Sequence, residues 1–314
     1  MRTPLLSPFR KTRPPSEPRI VRAGPSDNLR GTMLMVLSMA AFTCNDAVMK
    51  AVTQTLPLYE SVALRGMAVL ALMVAAALVQ GDGLRLTVPR GDVAALVIRT
   101  AADIVSTLLY LLALRQMALA DLSAIMQALP LAVTLAAALF FRERLGWRRL
   151  SAIGVGFLGV LLILRPGTGA FDTWSAVALL SMLLIVVRDI ATRYFSRQVG
   201  SGTIAFHAAL AVMLSGFALG AGEDWRMPDL PEAALLLLSA GFLTVGYLTA
   251  VATMRVGEIS FVAPFRYTSL VWAILLGLAL FDEWPDGWTW AGSALVVGAG
   301  LYAILRERQL RGRG

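Results

Sequence analysis

The chain has little charge, one cysteine and one histidine. Charged residues make up 15% of its 314 residues, whereas a soluble protein carries about a quarter. The lone Cys44 excludes a disulfide framework and a cysteine-based zinc site, and the lone His207 excludes a histidine-rich metal site. Hydrophobic residues make up 57% of the chain. This composition indicates an integral membrane protein. We expect it to hold no metal and no cofactor.

Ten apolar segments account for the hydrophobic residues. Each is about long enough to cross a ~30 Å hydrocarbon core as a helix. We place them near residues 31–52, 58–80, 92–114, 120–141, 149–165, 173–194, 202–221, 232–253, 260–281 and 287–305. The loops between them leave no room for a soluble catalytic domain. The sequence therefore predicts an all-α integral membrane protein that is not an enzyme.

Basic residues are distributed unequally about these segments, and the net charge is +8. If the N-terminus is cytoplasmic, 20 basic residues lie on the cytoplasmic side and four on the outer side, and Arg65, Arg99, Arg188 and Arg266 lie within segments. Cytoplasmic loops of membrane proteins are enriched in basic residues. We therefore predict a multi-pass protein of the inner membrane with both termini in the cytoplasm, and no nucleic-acid partner.

Residues 1–30 differ from the rest of the chain. They contain six prolines and seven basic residues against two acidic ones, a composition that resists helix formation and packing. They have no apolar core of the kind found in signal peptides. We expect a disordered cytoplasmic tail that helps to orient the first helix, with contact to lipid headgroups as the alternative.

One stretch of the first segment returns in the sixth. Residues 38–53 read SMAAFTCNDAVMKAVT and residues 181–196 read SMLLIVVRDIATRYFS. Ionised groups inside apolar helices are costly, so matching ones indicate a duplication with a function. Superposed without a gap, the two stretches align Asp46 with Asp189 and Lys50 with Arg193.

Two equivalent loops indicate that the second copy is inverted. Five segments per half is an odd number, and Glu143 is flanked by arginines whereas Glu283 is flanked by Asp282 and Asp286. Inverted repeats are a common plan of secondary transporters. We predict a first half at 31–165, an inverted second half at 172–306 and a basic cytoplasmic tail at 307–314.

Two long segments make the chain resemble the drug/metabolite transporter superfamily, of the EamA type. They read ALRQMALADLSAIMQALPLAVTLAAALFFRERLGWRRLSAIGVGFLGVLLIL and MRVGEISFVAPFRYTSLVWAILLGLALFDEWPDGWTWAGSALVVGAGLYAIL. In each, a small polar turn opens a helix that ends at an acidic residue, and a glycine-rich helix follows. The stretches RDIATRYFSR and APFRYTSLVWAILLG are most similar to the branch with S-adenosylmethionine-type uptake carriers and metabolite exporters.

The resemblance implies two five-helix halves around a central cavity. Helices one to four of each half would line it, and the fifth and tenth would lie outside, often at a homodimer contact. Members of the family carry amino acids, nucleotide-related metabolites, riboflavin, S-adenosylmethionine and opine-type metallophores.

Fourteen polar or aromatic residues within the segments are candidates for substrate binding or gating. Ionisable residues at membrane depth are costly unless they face a cavity or a partner. The candidates are Asp46, Lys50, Arg65, Arg99, Asp103, Tyr110, Gln127, Arg188, Asp189, Arg193, His207, Arg266, Tyr267 and Trp272.

Four of these candidates form two pairs that we assign to gates. Asp46 and Lys50, four residues apart on one helix face, would belong to the outer gate, and Asp189 and Arg193 to the inner gate. The alternative is two local ion pairs that neutralise themselves near an interface. Either aspartate could also carry a coupling proton.

The other candidates have two interpretations each. Arginines suit a carboxylate or phosphate of the substrate, but Arg65 and Arg266 could equally be buried partners of Asp46 or Asp103, and Arg99 forms an i,i+4 pair with Asp103. His207 suits a hydrogen bond between helices better than proton transfer. The aromatic residues, Tyr247 included, mostly pack and could stack on a ligand.

Glycine and proline patterns indicate close packing and bent helices. Gly154, Gly156 and Gly159 match GxGxxG, but no strand precedes them, so we reject a dinucleotide site. Small residues in helices five and ten allow close contact, within the chain or with a second copy. Pro130 and Pro264 are expected to bend helices four and nine.

These observations predict a carrier that works by alternating access. We expect it to export an amino-acid-derived zwitterion, such as an amino acid or an opine-like metallophore. Uptake of S-adenosylmethionine or a similar nucleoside-like or vitamin metabolite is the alternative. A membrane-embedded enzyme would need a His/Asp or Ser/His cluster, which one histidine disfavours.

Overall fold

The computed structural model describes residues 25–80, 87–141, 146–165, 173–196, 199–256 and 259–311. These residues form α-helices joined by short connections and three 3-10 turns, with no strand among them. The helices are α1 (Pro25–Val52), α2 (Leu58–Gln80), α3 (Val93–Gln116), α4 (Leu119–Met126), α5 (Leu129–Phe141), α6 (Trp147–Leu164), α7 (Thr173–Thr192), α8 (Ser201–Leu219), α9 (Leu230–Val256), α10 (Ile259–Val262), α11 (Thr268–Phe281) and α12 (Gly287–Arg311).

Ten membrane spans can be assigned within the described residues by length and apolar composition. Helices α4 and α5 together form the fourth span. The ninth consists of α10, the turn Ala263–Tyr267 and α11. The predicted fold class, an all-α membrane protein with ten spans, is confirmed.

The two interrupted spans contain the two prolines that were expected to bend them. Pro130 has no N–H to donate to the carbonyl of Met126, and α4 ends at Met126. Pro264 lies in the 3-10 turn between α10 and α11. Spans four and nine are therefore each built from two shorter helices.

The ends of α1 and α12 differ from the sequence-based boundaries. Helix α1 begins at Pro25, a residue suited to the first turn of a helix, and Asp27 stabilises the positive end of the helix dipole. Residues 25–30 are therefore helical, although we expected them to belong to the tail. Helix α12 continues to Arg311, beyond the boundary expected at residue 306. Residues 1–24 and 312–314 of the predicted tails lie outside the described part of the chain.

Short polar motifs fix the starts of α9 and α12. The backbone N–H of Glu232 donates to Asp229 Oδ1 at 2.8 Å, and that of Asp229 donates to Glu232 Oε2 at 3.0 Å, which is a reciprocal capping box. Asp286 accepts a 2.9 Å hydrogen bond from the backbone N–H of Thr289 and so caps α12.

The helices pack in pairs that are equivalent when the two halves are exchanged. Helix α1 packs on α9 as α7 packs on α3, which pairs the first span with the eighth and the sixth with the third. Helices α2 and α8 pack together, as do α6 and α12. Two halves related by a two-fold axis produce this pattern, and the odd number of spans in each half makes their orientations opposite.

We name the two ends of the bundle by the chain termini. The terminal face carries the start of α1, residues 87–92 and 193–196, and the end of α12. The distal face carries residues 53–57, 117–118, 220–229 and 282–286.

Glycines bring α6 and α12 into backbone contact. A Cβ atom added to Gly159 would lie 2.7 Å from the carbonyl oxygen of Gly292. Gly156 packs against Leu131 of α5 and Ala299 of α12, whereas Gly154 has no atom near its Cβ position. Gly156 and Gly159 therefore serve packing within the chain.

Candidate functional site

The first cluster of polar groups joins helices α1, α2, α3 and α9 in the middle of the bundle. The Tyr110 hydroxyl donates to Asp46 Oδ2 at 2.7 Å, and Asn45 Nδ2 donates to Asp46 Oδ1 at 3.0 Å. Asn45 Oδ1 accepts hydrogen bonds from Ser239 Oγ at 2.8 Å and from Arg65 Nη1 at 3.4 Å. Asp46 is thus held by neutral donors, and Arg65 reaches it through Asn45.

The second cluster joins α3 and α7. Arg188 pairs with Asp103 on the neighbouring helix, with an Nη1–Oδ1 distance of 3.1 Å, and with the adjacent Asp189 at 2.9 Å. Arg99 Nη1 lies 3.8 Å from Asp103 Oδ2, and Arg99 Nε donates to Thr192 Oγ1 at 3.1 Å. The predicted i,i+4 pair of Arg99 and Asp103 is present, and Arg188 shares its carboxylate.

Tyr247 of α9 relates the two clusters to each other. Its hydroxyl lies within electrostatic range of Arg65 in the first cluster and of Arg99, Asp103 and Arg188 in the second. Its ring packs edge-on against Phe42, with centroids 5.3 Å apart. The side chain is nevertheless 54% exposed. Tyr247 thus connects the two clusters, and we call the two clusters together with Tyr247 the central site.

Lys50 lies one turn from Asp46 but interacts elsewhere. Its ammonium group forms an ion pair with Glu283, donates to the carbonyl oxygen of Met117 at 2.5 Å and lies 5.1 Å from the ring centre of Phe281. Glu283 also accepts a 2.8 Å hydrogen bond from the backbone N–H of Leu119. The long lysine side chain reaches the distal face, whereas the short Asp46 carboxylate stays with its neutral donors. Asp46 and Lys50 therefore do not form the local pair considered from the sequence.

Further polar contacts join the loops of the distal face. Arg165 pairs with Asp286, and Arg226 pairs with Glu232 at 2.5 Å. Arg226 Nη2 also donates to the carbonyl oxygen of Thr55 at 3.3 Å. Burial raises the pKa of the Asp286 carboxyl, but its hydrogen bonds from Thr289 and Arg165 outweigh burial and hold the pKa below its ordinary value of 3.8. The ionised carboxylate is thus the form that holds this face together.

Arg193, the repeat partner of Lys50, lies on the terminal face. Its side chain is exposed, and its guanidinium lies 5.7 Å from the ring centre of Phe141. Phe141 and Phe281 occupy equivalent positions two residues before Glu143 and Glu283. Glu143 itself lies outside the described residues.

The remaining predicted residues lie outside both clusters. Gln127 is buried and donates to Ser269 Oγ at 2.5 Å, which joins the fourth and ninth spans. His207 contacts the carbonyl oxygen of Thr203 at 2.8 Å in its own helix, so the hydrogen bond expected between helices lies within α8. Arg266 is exposed beside the buried Tyr267, which packs against Gly300 of α12, and Trp272 lines an apolar groove against α1.

Three contributors were absent from the fourteen candidates, although Tyr247 was considered as an aromatic residue that could stack on a ligand. Asn45 was not among them, although the repeat aligns it with Arg188 and so shows that the two copies differ in charge beside the equivalent aspartates. Tyr247 was one aromatic residue among several. Ser239 gave no signal, since a serine in an apolar helix commonly bonds to its own backbone.

A bundle of ten membrane-spanning segments in two equivalent halves, with charged residues at its centre, is a common plan of secondary transporters. The EamA-like transporter family model matches residues 29–165 and 172–306. The chain therefore belongs to the EamA-like transporter family.

Characterised relatives carry different substrates. The chain is 28% identical over 276 residues to the pseudopaline exporter of Pseudomonas aeruginosa, and this match covers 85% of this chain and 93% of the exporter. It is 27% identical over 188 residues to an S-adenosylmethionine uptake transporter of Rickettsia felis, covering 59% of this chain and 63% of that transporter. It is 29% identical over 175 residues to a riboflavin transporter of Vibrio cholerae, covering 55% and 58%. The matched region thus spans less than two thirds of the length of the latter two relatives.

A solved crystal structure has the same fold. It shares 21% identity with this chain, covers 90% of it and 98% of its own chain, and superposes with a TM-score of 0.63.

Proposed function

We propose that this transporter is a secondary carrier that exports a small amino-acid-derived zwitterion by alternating access. The observation that carries the proposal is the central site, where Asp46, Asp103 and Asp189 lie with Arg65, Arg99 and Arg188 in the two clusters that Tyr247 connects. Three carboxylates and three guanidiniums make the site neutral as a whole. A neutral site with separated charges of both signs suits a ligand that carries both.

The contacts of the two faces support an alternating-access mechanism. On the distal face, Lys50 joins α1 to the loop after α11 and to the turn before α4, and its side chain is only 6% exposed. Within the second cluster, the side chain of Asp189 is 34% exposed. We infer that the distal face is closed in this state, that Lys50 and Glu283 form its gate, and that substrate reaches the site from the terminal face.

The orientation of the protein in the membrane determines from which side this state would bind substrate, and so the direction of transport. With both termini in the cytoplasm, as the basic residues predict, the terminal face is cytoplasmic and the distal face is periplasmic. The described state would then load substrate from the cytoplasm, as an exporter requires. The match to the pseudopaline exporter over most of both chains supports export of a metabolite of that kind.

Uptake of S-adenosylmethionine is the second candidate. Its sulfonium is a cation, and Tyr110 and Tyr247 place phenol rings beside carboxylates of the central site. Aromatic faces attract such cations. The relatives named S-adenosylmethionine uptake transporters support this alternative.

Two finer proposals concern coupling and assembly. Asp46, whose hydrogen bonds come from neutral groups, is our candidate for a coupling proton. Gly154 and Gly298 have open space at their Cβ positions, so α6 and α12 retain small outward positions that could pack on a second copy.

A counterflow experiment in liposomes tests the proposal. Purified protein is reconstituted with unlabelled amino acids, an opine or S-adenosylmethionine inside, and entry of the labelled compound is measured. We expect saturable exchange of one compound in the wild type and none in the Asp46→Asn variant. Exchange that does not saturate, or no exchange with any compound, would contradict a carrier of this class.

A further inference from the structure

We propose that Asn45 is a specificity-determining positioning residue: its amide stands between Asp46 and Arg65 and keeps these charges apart as two subsites. The Asp46 subsite takes a cationic group and the Arg65 subsite takes an anionic group of the same substrate. This inference rests on the proposed function and adds to it the polarity with which a zwitterion binds.

The hydrogen bonds of Asn45 place it between the two charges. Its Nδ2 donates to Asp46 Oδ1 at 3.0 Å, and its Oδ1 accepts from Arg65 Nη1 at 3.4 Å. A third bond, from Ser239 Oγ at 2.8 Å, fixes the orientation of the amide. Asn45 is 4% exposed and Arg65 7% exposed, so water does not screen the two charges from each other as it would at a surface.

Asp46 and Arg65 remain apart although they attract each other. Arg65 interacts electrostatically with Asp46, but among the described residues no ion pair joins them. Asn45 supplies the one protein acceptor that Arg65 has in the described part of the chain. The other guanidinium N–H groups are therefore left for a ligand. Asp46 likewise accepts only neutral donors there, from Tyr110 and Asn45.

The repeat shows what a charged residue does at the same position. Arg188 is the equivalent of Asn45, and it pairs with both Asp189 and Asp103. The charges of the second cluster are thereby neutralised by ion pairs within the cluster. The neutral Asn45 leaves the first cluster with one unpaired acid and one unpaired base, which is why we assign both charged ends of the substrate to it.

The amide of Asn45 meets both demands at this position. Asparagine offers a donor to the carboxylate and an acceptor to the guanidinium at once. An aspartate would pair with Arg65 and repel Asp46. An alanine would leave nothing between two opposite charges in a medium of low dielectric constant, and they would close on each other.

The first test is structural and needs no substrate. We would determine the structures of the Asn45→Ala and Ser38→Ala variants in lipid nanodiscs. In Asn45→Ala we expect Arg65 and Asp46 to approach within about 4 Å, the usual limit of an ion pair. Ser38→Ala is the matched control, because it removes a buried hydrogen bond between the same two helices, α1 and α9, from Ser38 Oγ to the carbonyl oxygen of Gly246 at 2.8 Å, and leaves the bonds of Asn45 in place. Separated charges in Asn45→Ala would overturn the proposal.

The second test uses the compound that the counterflow assay exchanges. We expect Asn45→Ala to raise the KM for exchange by roughly tenfold or more, since the closed pair must open before substrate binds, with a smaller change in the maximal rate. Ser38→Ala should stay near the wild type, and an unchanged KM in Asn45→Ala would also count against the proposal. If no compound is exchanged, the proposed function fails in that assay, while the structures still decide the role of Asn45.

Discussion

Asp46 and Asp189 occupy equivalent positions and have different surroundings. Asp189 is neutralised by Arg188, whereas Asp46 is held by Tyr110 and Asn45. A carboxylate at membrane depth without a directly bonded cation is costly. Its retention is explained if a substrate group or a proton neutralises it during the transport cycle.

The loss of the Asp46 charge should therefore abolish transport. In the Asp46→Asn variant we expect the exchange rate to fall by at least about 30-fold, because a buried charge pair with the substrate is lost. The amide can still accept from Tyr110, so the thermal midpoint in detergent should stay within a few degrees of the wild type. Exchange near the wild-type rate would remove Asp46 from the binding site.

The ion pair of Asp286 should make the thermal stability of the protein depend on pH in the acidic range. A carboxyl whose folded-state pKa is depressed stabilises the fold above its unfolded pKa, and that contribution is lost as the pH falls through the folded value. We expect the wild type to have a higher thermal midpoint than Asp286→Asn at neutral pH. The difference should shrink below about pH 4, and a difference independent of pH would contradict the ion pair with Arg165.

At the scale of helices, hydropathy and proline predicted most of the structure. Ten apolar runs of membrane length can form only helices in lipid, because every backbone group must be satisfied. Breaks near Pro130 and Pro264 followed from missing N–H donors. The partner of Lys50 could not be predicted this way. Spacing along one helix suggested Asp46, but Glu283 comes from another span, and sequence spacing does not set which spans meet.

The glycine contact between α6 and α12 gives a prediction with an internal control. In Gly159→Leu the new side chain would enter the backbone of Gly292, and we expect a loss of about 1–3 kcal/mol or more from overpacking. Gly154→Leu adds the same side chain to the same helix where nothing lies within 4 Å. Thermal unfolding of the purified variants should show a lowered midpoint for Gly159→Leu only.

On the scale of the whole molecule, the two halves place equivalent cations at opposite faces. Lys50 lies over Phe281 at the distal face, and Arg193 lies over Phe141 at the terminal face. Lys50 is nearly buried in its ion pair, whereas Arg193 is exposed. Such a difference between equivalent positions is what alternating access requires, since one face closes when the other opens.

This asymmetry predicts which face admits a reagent to the central site. We would replace Cys44 by serine, introduce Tyr247→Cys as a single reporter, and label it in oriented proteoliposomes with a membrane-impermeant maleimide. Labelling should occur from the terminal face. Adding Lys50→Gln should raise the labelling rate from the distal face by roughly tenfold or more, because a partly buried Glu283 without its cation destabilises the proposed closed gate.

A control and a rescue make the gate assignment specific. Arg226→Gln removes another ion pair of the same face, but one that joins Arg226 to the nearby Glu232 and does not reach Glu283, so distal labelling should stay low. The double reversal Lys50→Glu with Glu283→Lys restores opposite charges across the gate and should reduce distal labelling again. If Arg226→Gln opened the distal face as much as Lys50→Gln, closure would belong to the loops in general and not to the contact between α1 and the ninth span.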